Sequence, residues 1–172
     1  MNLQKFNQLL FDKNSRVYVA LDGASVPDLR MKLYEMGPEH ICLYRGDLEP
    51  DIAEVAPYLV KMVSGTDFTN WVLSEGWGNH WGIFAQTRYS LTEMRKHFRS
   101  FLTVHDETGK PMLFRYYDPR VLQTFLPTCN SQELNTFFGK VTNYIIEDKN
   151  PQNLLNYSLQ NGELKVKQES VE

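Results

Sequence analysis

Four histidines (His40, His80, His97, His105) and two cysteines (Cys42, Cys129) are the residues of this 172-residue chain best suited to metal or nucleophilic chemistry. No histidine pair has the one-turn helical spacing of a zinc-type motif, and neither cysteine sits at a metal or redox spacing. A serine-hydrolase elbow, G-x-S-x-G, is absent. Scattered histidines, or a cysteine with a distant histidine, can still converge in space. A metal-dependent hydrolase using scattered His and Asp residues therefore stands as the alternative to a binding protein. The stretch "GWGNHWG" resembles a phosphate loop, but its third glycine falls one place late for G-x-G-x-x-G. It also precedes a strand, whereas a phosphate loop follows one and opens a helix.

Other residues suit recognition. "RKHFR" puts Arg95, Lys96 and Arg99 on one helix, either as a solvated face or as a surface for an acidic partner or nucleic acid. Trp71, Trp77 and Trp81 are either core fillers or binding hot spots, since tryptophan joins a large apolar area to a hydrogen-bond donor. Trp77 lies in a glycine-flanked loop, where a core role is less natural.

The stretch "FRYYDPRVLQTFL", Phe114 to Leu126, concentrates charge within apolar sequence. Asp118 followed by Pro119 is a helix start: the carboxylate accepts from free backbone donors, and proline is pre-shaped for the first helical position. Val121, Leu122, Phe125 and Leu126 supply an apolar stripe, and Pro127 ends the helix. Upstream, "MLFRYY" alternates as a strand does. In such a strand-to-helix elbow Arg115 and Arg120 need buried partners, because an unpaired buried charge is very costly. Asp22 and Asp118 are the candidates. The elbow reads as architecture, not catalysis.

The elements that position these residues are legible in outline. Leu3 to Phe11 predicts a short amphipathic helix. "RVYVAL" predicts a strand ended at Asp22-Gly23. Ser25 caps a helix through Leu29, Leu33 and Met36, which Gly37-Pro38 stops. "HICLY" follows as a strand, so strand, helix and strand form a βαβ unit with a parallel sheet. Asp47, Glu49, Asp51 and Glu54 belong to a solvated loop before the strand "YLVKM". A helix opens at Asp67 and stops at glycine, and "HWGIFAQTR" is a strand. From Ser90 to about Thr103 runs a helix with a Ser90/Glu93 capping box and a stripe of Leu91, Met94, Phe98, Phe101 and Leu102. A short strand lies around Val104, before a turn at Thr108 to Pro111. Asn161-Gly162 predicts a two-residue turn in a hairpin spanning about 154–168. Its register pairs Gln160 with Glu163, Leu159 with Leu164 and Tyr157 with Val166. The expected fold class is α/β: a mixed sheet flanked by helices, with a C-terminal β-hairpin, in a single domain over 1–172.

The bulk numbers narrow the classes. A chain of this length buries a core without disulfides or metals. Net charge is −3, which counts against a dedicated nucleic-acid binder. "MNLQKFNQLLF" lacks the apolar run of a signal peptide, and no stretch approaches a membrane span. A cytoplasmic protein with two buried free thiols is expected.

The elbow, with "SLTEMRKHFRSFLTV" before it and "FFGKVTNYIIED" after it, resembles the type VI secretion adaptor-chaperone family (Tap or TEC, domain of unknown function 4123). The family pattern is matched by "VYVALDGA" at Val17 to Ala24, by Trp81-Gly82 before a strand, and by His97, Phe98 and Arg99 closing a helix. It is matched again by the aspartate-proline-arginine signature at Phe114 to Leu122 and by Phe137 to Gly139. Tyr116 stands where the family has phenylalanine, and Phe98 where it has leucine. The likeness covers roughly 16–148. It implies a bacterial cytoplasmic protein, not an enzyme and without cofactor or metal, that binds a toxic effector and promotes its loading onto the VgrG spike. The expected partners are the cognate effector and VgrG, with no nucleic acid and no membrane. Trp71, Trp77, His80, Trp81, Arg95 and Arg99 are the candidate effector contacts. Asp22, Arg115, Tyr117, Asp118, Pro119 and Arg120 are the structural signature.

Overall fold

In the computed structural model, which describes residues 2–11 and 14–172, helices and strands alternate along the chain as far as residue 105. Helix α1 (Leu3–Leu10) precedes strand β1 (Arg16–Asp22), helix α2 (Leu29–Met36), strand β2 (His40–Cys42), helix α3 (Pro50–Val55) and strand β3 (Pro57–Met62). Helix α4 (Asp67–Trp71) runs into a π-helical turn at Val72–Gly76, then strand β4 (Gly82–Thr87) and helix α5 (Leu91–Arg99). Strands β5 (Thr103–His105) and β6 (Pro111–Leu113) form a small hairpin. Helices α6 (Pro119–Phe125) and α7 (Ser131–Phe138) and strands β7 (Val141–Glu147), β8 (Asn153–Gln160) and β9 (Glu163–Ser170) complete the order.

Seven strands make one sheet in the order β2-β3-β1-β4-β7-β8-β9, and β5-β6 stands apart as a sheet of two. The α/β class and the C-terminal hairpin hold. Every neighbouring pair is antiparallel. The expected strand-helix-strand unit exists as β1-α2-β2, and its two strands point the same way. They are not neighbours, however, because β3 lies between them and pairs with both. Local periodicity marks strands but says nothing of which strand a later one will separate.

Alternation along the central strands explains the layers. Val17, Val19 and Leu21 of β1, with Val60 and Ile145, face a core closed by Phe6 and Leu10 of α1, Leu29 and Leu33 of α2, and Phe68 of α4. Tyr18 and Ala20, with Ile83 and Tyr144, face the opposite core under Met94 and Phe98 of α5, Leu122 of α6 and Phe137 of α7. The sheet is thus covered on both faces, which is why its strands read as nearly continuous apolar runs.

Local signals fare unevenly. The capping box at Ser90 and Glu93 is present, and the β8-β9 register is the predicted one at all three pairs. Gly162 there has φ +78°, a region L side chains avoid. Ser25 does not cap α2. Its hydroxyl donates to Asp22 instead (2.9 Å), and Asp28 occupies the N-cap position without a side-chain bond. Asp51 and Glu54 lie in α3 rather than in a loop. The strand "MLFRYY" is shorter than expected. Pairing stops at Leu113, and Tyr116 and Tyr117 are both buried where alternation would bury only one. No helix among the described residues is long and apolar enough to cross a membrane.

Candidate functional site

The elbow is a pair of closed ion pairs. Asp118 caps α6, accepting from Arg120 N (2.9 Å), and the Arg120 guanidinium grips the same carboxylate through Nε (3.0 Å) and Nη2 (2.7 Å). Arg115 Nη2 donates to Asp22 Oδ2, and Asp22 also accepts from Ala24 N (3.1 Å) and the Ser25 hydroxyl. The expected partners are therefore the real ones, but the buried members are the acids. The Asp22 and Asp118 side chains are 2% and 6% exposed, against 44% for Arg115 and 60% for Arg120. Burial pushes the Asp118 carboxyl up, yet the hydrogen bonds and charge of Arg120 outweigh it and hold the group below its ordinary value. The Tyr116 hydroxyl donates to Phe98 O (2.8 Å), tying the elbow to α5. Tyr117 beside it is 1% exposed, and burial raises its pKa. Pro119 is the first residue of α6 and is buried.

The three tryptophans pack against the first core. Trp81 is 9% exposed, with Trp71 against it at 4.8 Å between ring centres. Trp77 meets Phe6 edge-on at 4.4 Å, and its indole N–H donates to Pro151 O (2.7 Å). A Cβ on Gly76 would lie 2.7 Å from the Trp81 ring, so the glycine-rich loop is built for close approach to that ring. His80 belongs to the same seal. Glu147, buried at the end of β7, accepts from Gly78 N (2.6 Å), from His80 N (3.1 Å) and from the His80 ring. A buried carboxylate so satisfied fastens the loop to the sheet.

Among the described residues no three His, Cys, Asp or Glu side chains gather where they can hold a metal ion. His97 is held by Phe137 O (3.0 Å) and His40 by Pro38 O (2.8 Å). Cys42 and Cys129 are free and partly buried.

One opening of about 360 Å³ lies beside the elbow, lined by His80, Glu147, Pro119 and Arg120, and two larger ones lie on both sides of the β5-β6 hairpin. One cleft of about 660 Å³ is lined by Phe101, Val104, Phe114, Phe125 and Phe137 and rimmed by Asn130, Gln132, Glu133 and Thr136. Phe114 packs on Phe125 at 4.8 Å and Phe101 on Phe137 at 5.0 Å, so the floor is a preformed aromatic surface. Val104 and Met112 sit opposite each other in the hairpin, 38% and 46% exposed. Sequence reasoning placed Phe101 and Phe125 in helix stripes but did not see that they open onto a cleft. The available signal was the hairpin: two three-residue strands are too short to bury their own apolar side chains.

The second cleft, about 610 Å³, is lined by Leu43, Tyr44, Arg45, Leu48, Arg99, Leu102 and Leu113, with Ser100 and Thr103. Arg99 anchors its wall, donating through Nε to Leu43 O (3.0 Å) and through Nη2 to Cys42 O and Tyr44 O (2.9 Å each). Burial lowers the Arg99 pKa, and the charges of Arg95 and Arg45 lower it further. Of the six candidate contact residues, Arg99 lines a cleft of this side and His80 lines the smaller opening beside the elbow.

No curated protein and no solved structure matches the chain significantly. A family described as Domain of unknown function (DUF4123) matches residues 17–136, from β1 through the hairpin and the elbow into α7. That span is well over half of the chain, and the chain belongs to this family.

Proposed function

We propose that this protein is a cytoplasmic adaptor-chaperone of type VI secretion, binding a toxic effector and promoting its loading onto the VgrG spike, and that it acts by binding and not as an enzyme. The observation that carries the reading is the aromatic cleft beside β5-β6, together with the family. Holding a polypeptide without a covalent bond needs an apolar centre that excludes water and a polar rim that stays wet. Phe101, Phe114, Phe125 and Phe137 supply the centre, and Asn130, Gln132 and Thr136 supply the rim. Aromatic anchors in a preformed pocket are the arrangement that concentrates binding energy.

Co-expression with the products of the two adjacent open reading frames tests it. A stable complex is expected to co-purify. Met112→Asp, at a site 46% exposed, is expected to leave the fold intact and reduce recovery of the partner by about tenfold or more. Turnover of a small substrate, abolished by changing one histidine without loss of the fold, would overturn the reading.

A further inference from the structure

Arg45 and Arg99 line the second cleft without a counter-charge, and Arg95 is near enough to Arg99 for its charge to be felt there. Arg99 bonds the carbonyl of Tyr44, so Arg45 is the next residue along the chain from that contact. Arg95 lies one turn before Arg99 on α5, and residues four apart share a helix face. Among the described residues, none of the three takes part in an ion pair. Asp47 and Glu49 occupy the same loop as Arg45, yet neither pairs with these arginines. The Arg95 Nε is buried with no hydrogen-bond acceptor.

The remaining lining is mostly apolar, Leu43, Tyr44, Leu48, Leu102 and Leu113, with Ser100 and Thr103 at its edge beside α5 and β5. Two lining arginines, with Arg95 close behind Arg99, against a mostly apolar wall define the chemistry of an occupant. Resting on the reading of this protein as a partner-binding one, we infer that the cleft takes an acidic segment of the partner polypeptide in which carboxylates alternate with leucine-like side chains. The carboxylates meet Arg45 and Arg95 while the apolar groups settle on Leu48, Leu102 and Leu113. Guanidinium matches carboxylate in shape as well as in charge. Nucleic acid is the less suited polyanion, because the chain carries net charge −3 and this cleft has an apolar wall in place of a basic stripe.

Fluorescence anisotropy on the whole protein tests this without the natural partner. The probes are a short labelled peptide of glutamate and leucine, its lysine-leucine counterpart, and a single-stranded oligonucleotide of equal length. The acidic peptide is expected to bind at least about tenfold more tightly than either other probe. Its affinity is expected to weaken as salt rises, the mark of exposed charge contacts. The double variant Arg45→Ala/Arg95→Ala is expected to lose about tenfold, and Lys96→Ala, on the same helix, nothing measurable. Arg45→Glu, at an exposed site, serves as a second variant if the double one folds poorly, and is expected to weaken binding similarly. Equal affinity for the two peptides, indifference to the arginine variants, or arginine-dependent binding of the oligonucleotide at equal strength would each overturn the inference. Because the probe is not the effector, failure to co-purify a neighbouring gene product leaves this result standing, and the reverse also holds.

Discussion

Arginine is used in two opposite ways on the α5-α6 side of the sheet. At the elbow, Arg115 and Arg120 are largely in solvent and each covers a buried carboxylate, Asp22 or Asp118. The acid is the member taken out of water, and its hydrogen bonds are completed by Ala24 N and Ser25 or by the first turn of α6. Around the second cleft the cations come without acids. Arg99 is held by three carbonyl oxygens, Arg45 is exposed, and Arg95 keeps a buried Nε–H that bonds to nothing. The first arrangement is electrostatically complete within the chain and serves the fold. The second leaves positive charge uncompensated, which folding alone does not reward, and it lies where the surface is concave. Paired charge marks architecture here, and unpaired charge marks the cleft proposed for a partner.

The largest effect that can break this contrast is at Asp22. Asp22→Ala removes the acceptor for Arg115, Ala24 N and the Ser25 hydroxyl at once. It is expected to destabilise the protein by about 3 kcal/mol in urea unfolding, short of the full loss for a buried pair because Arg115 can rehydrate. A loss below about 1 kcal/mol would mean that the elbow is not structural.

His97 shows a third treatment of positive charge, which is to discharge it. The ring is packed edge-on to Phe101 (5.0 Å), and its Nε2–H donates to Phe137 O. Burial pushes its pKa from 6.5 down to about 4, with Lys140 adding to the depression and the Phe137 carbonyl opposing it. The unfolded chain therefore takes up this proton first as pH falls. The contribution is fully present above pH 6.5 and is lost between 6.5 and about 4. About 2 kcal/mol is expected, after discounting for the partial exposure of the ring. Urea unfolding at neutral pH and near pH 5 should show the loss in the natural protein and a flatter profile in His97→Gln; equal slopes would refute the assignment.

The smallest expected effect is the most diagnostic. Arg45→Ala should change stability by no more than about 0.5 kcal/mol in either direction, because it deletes no bond and relieves repulsion on Arg99. A destabilisation matching that of Asp22→Ala would put Arg45 among the structural residues and erase the difference between the two groups.

Where a feature depends on neighbours a few residues away, reading the chain was enough. Asn161-Gly162 specified the β8-β9 turn and hence its register. Ser90 with Glu93 specified the start of α5, and Asp118-Pro119 the start of α6. The elbow's ion partners were legible too, because an aspartate at a strand end and one at a helix cap were the acids nearest in type and place. Trp77 shows the limit. A tryptophan between glycines looked free, yet α1 and Pro151, remote in sequence, close over it. Tyr116 and Tyr117 likewise are buried together, Tyr116 against Phe98 of α5 and Tyr117 beside Tyr44, which no two-residue alternation anticipates.

From its residues alone, the chain determined its class, most of its helix and strand positions, the hairpin register and the membership of the charged elbow. All of these rest on backbone preferences and on spacings within one element. Only the tertiary structure decided that β3 separates β1 from β2, that the tryptophans seal a core, and that phenylalanines from α6, α7 and the turn after α5 share one open cleft. Those outcomes depend on which distant surfaces compete for the same space, and packing of that kind is a property of the whole chain at once.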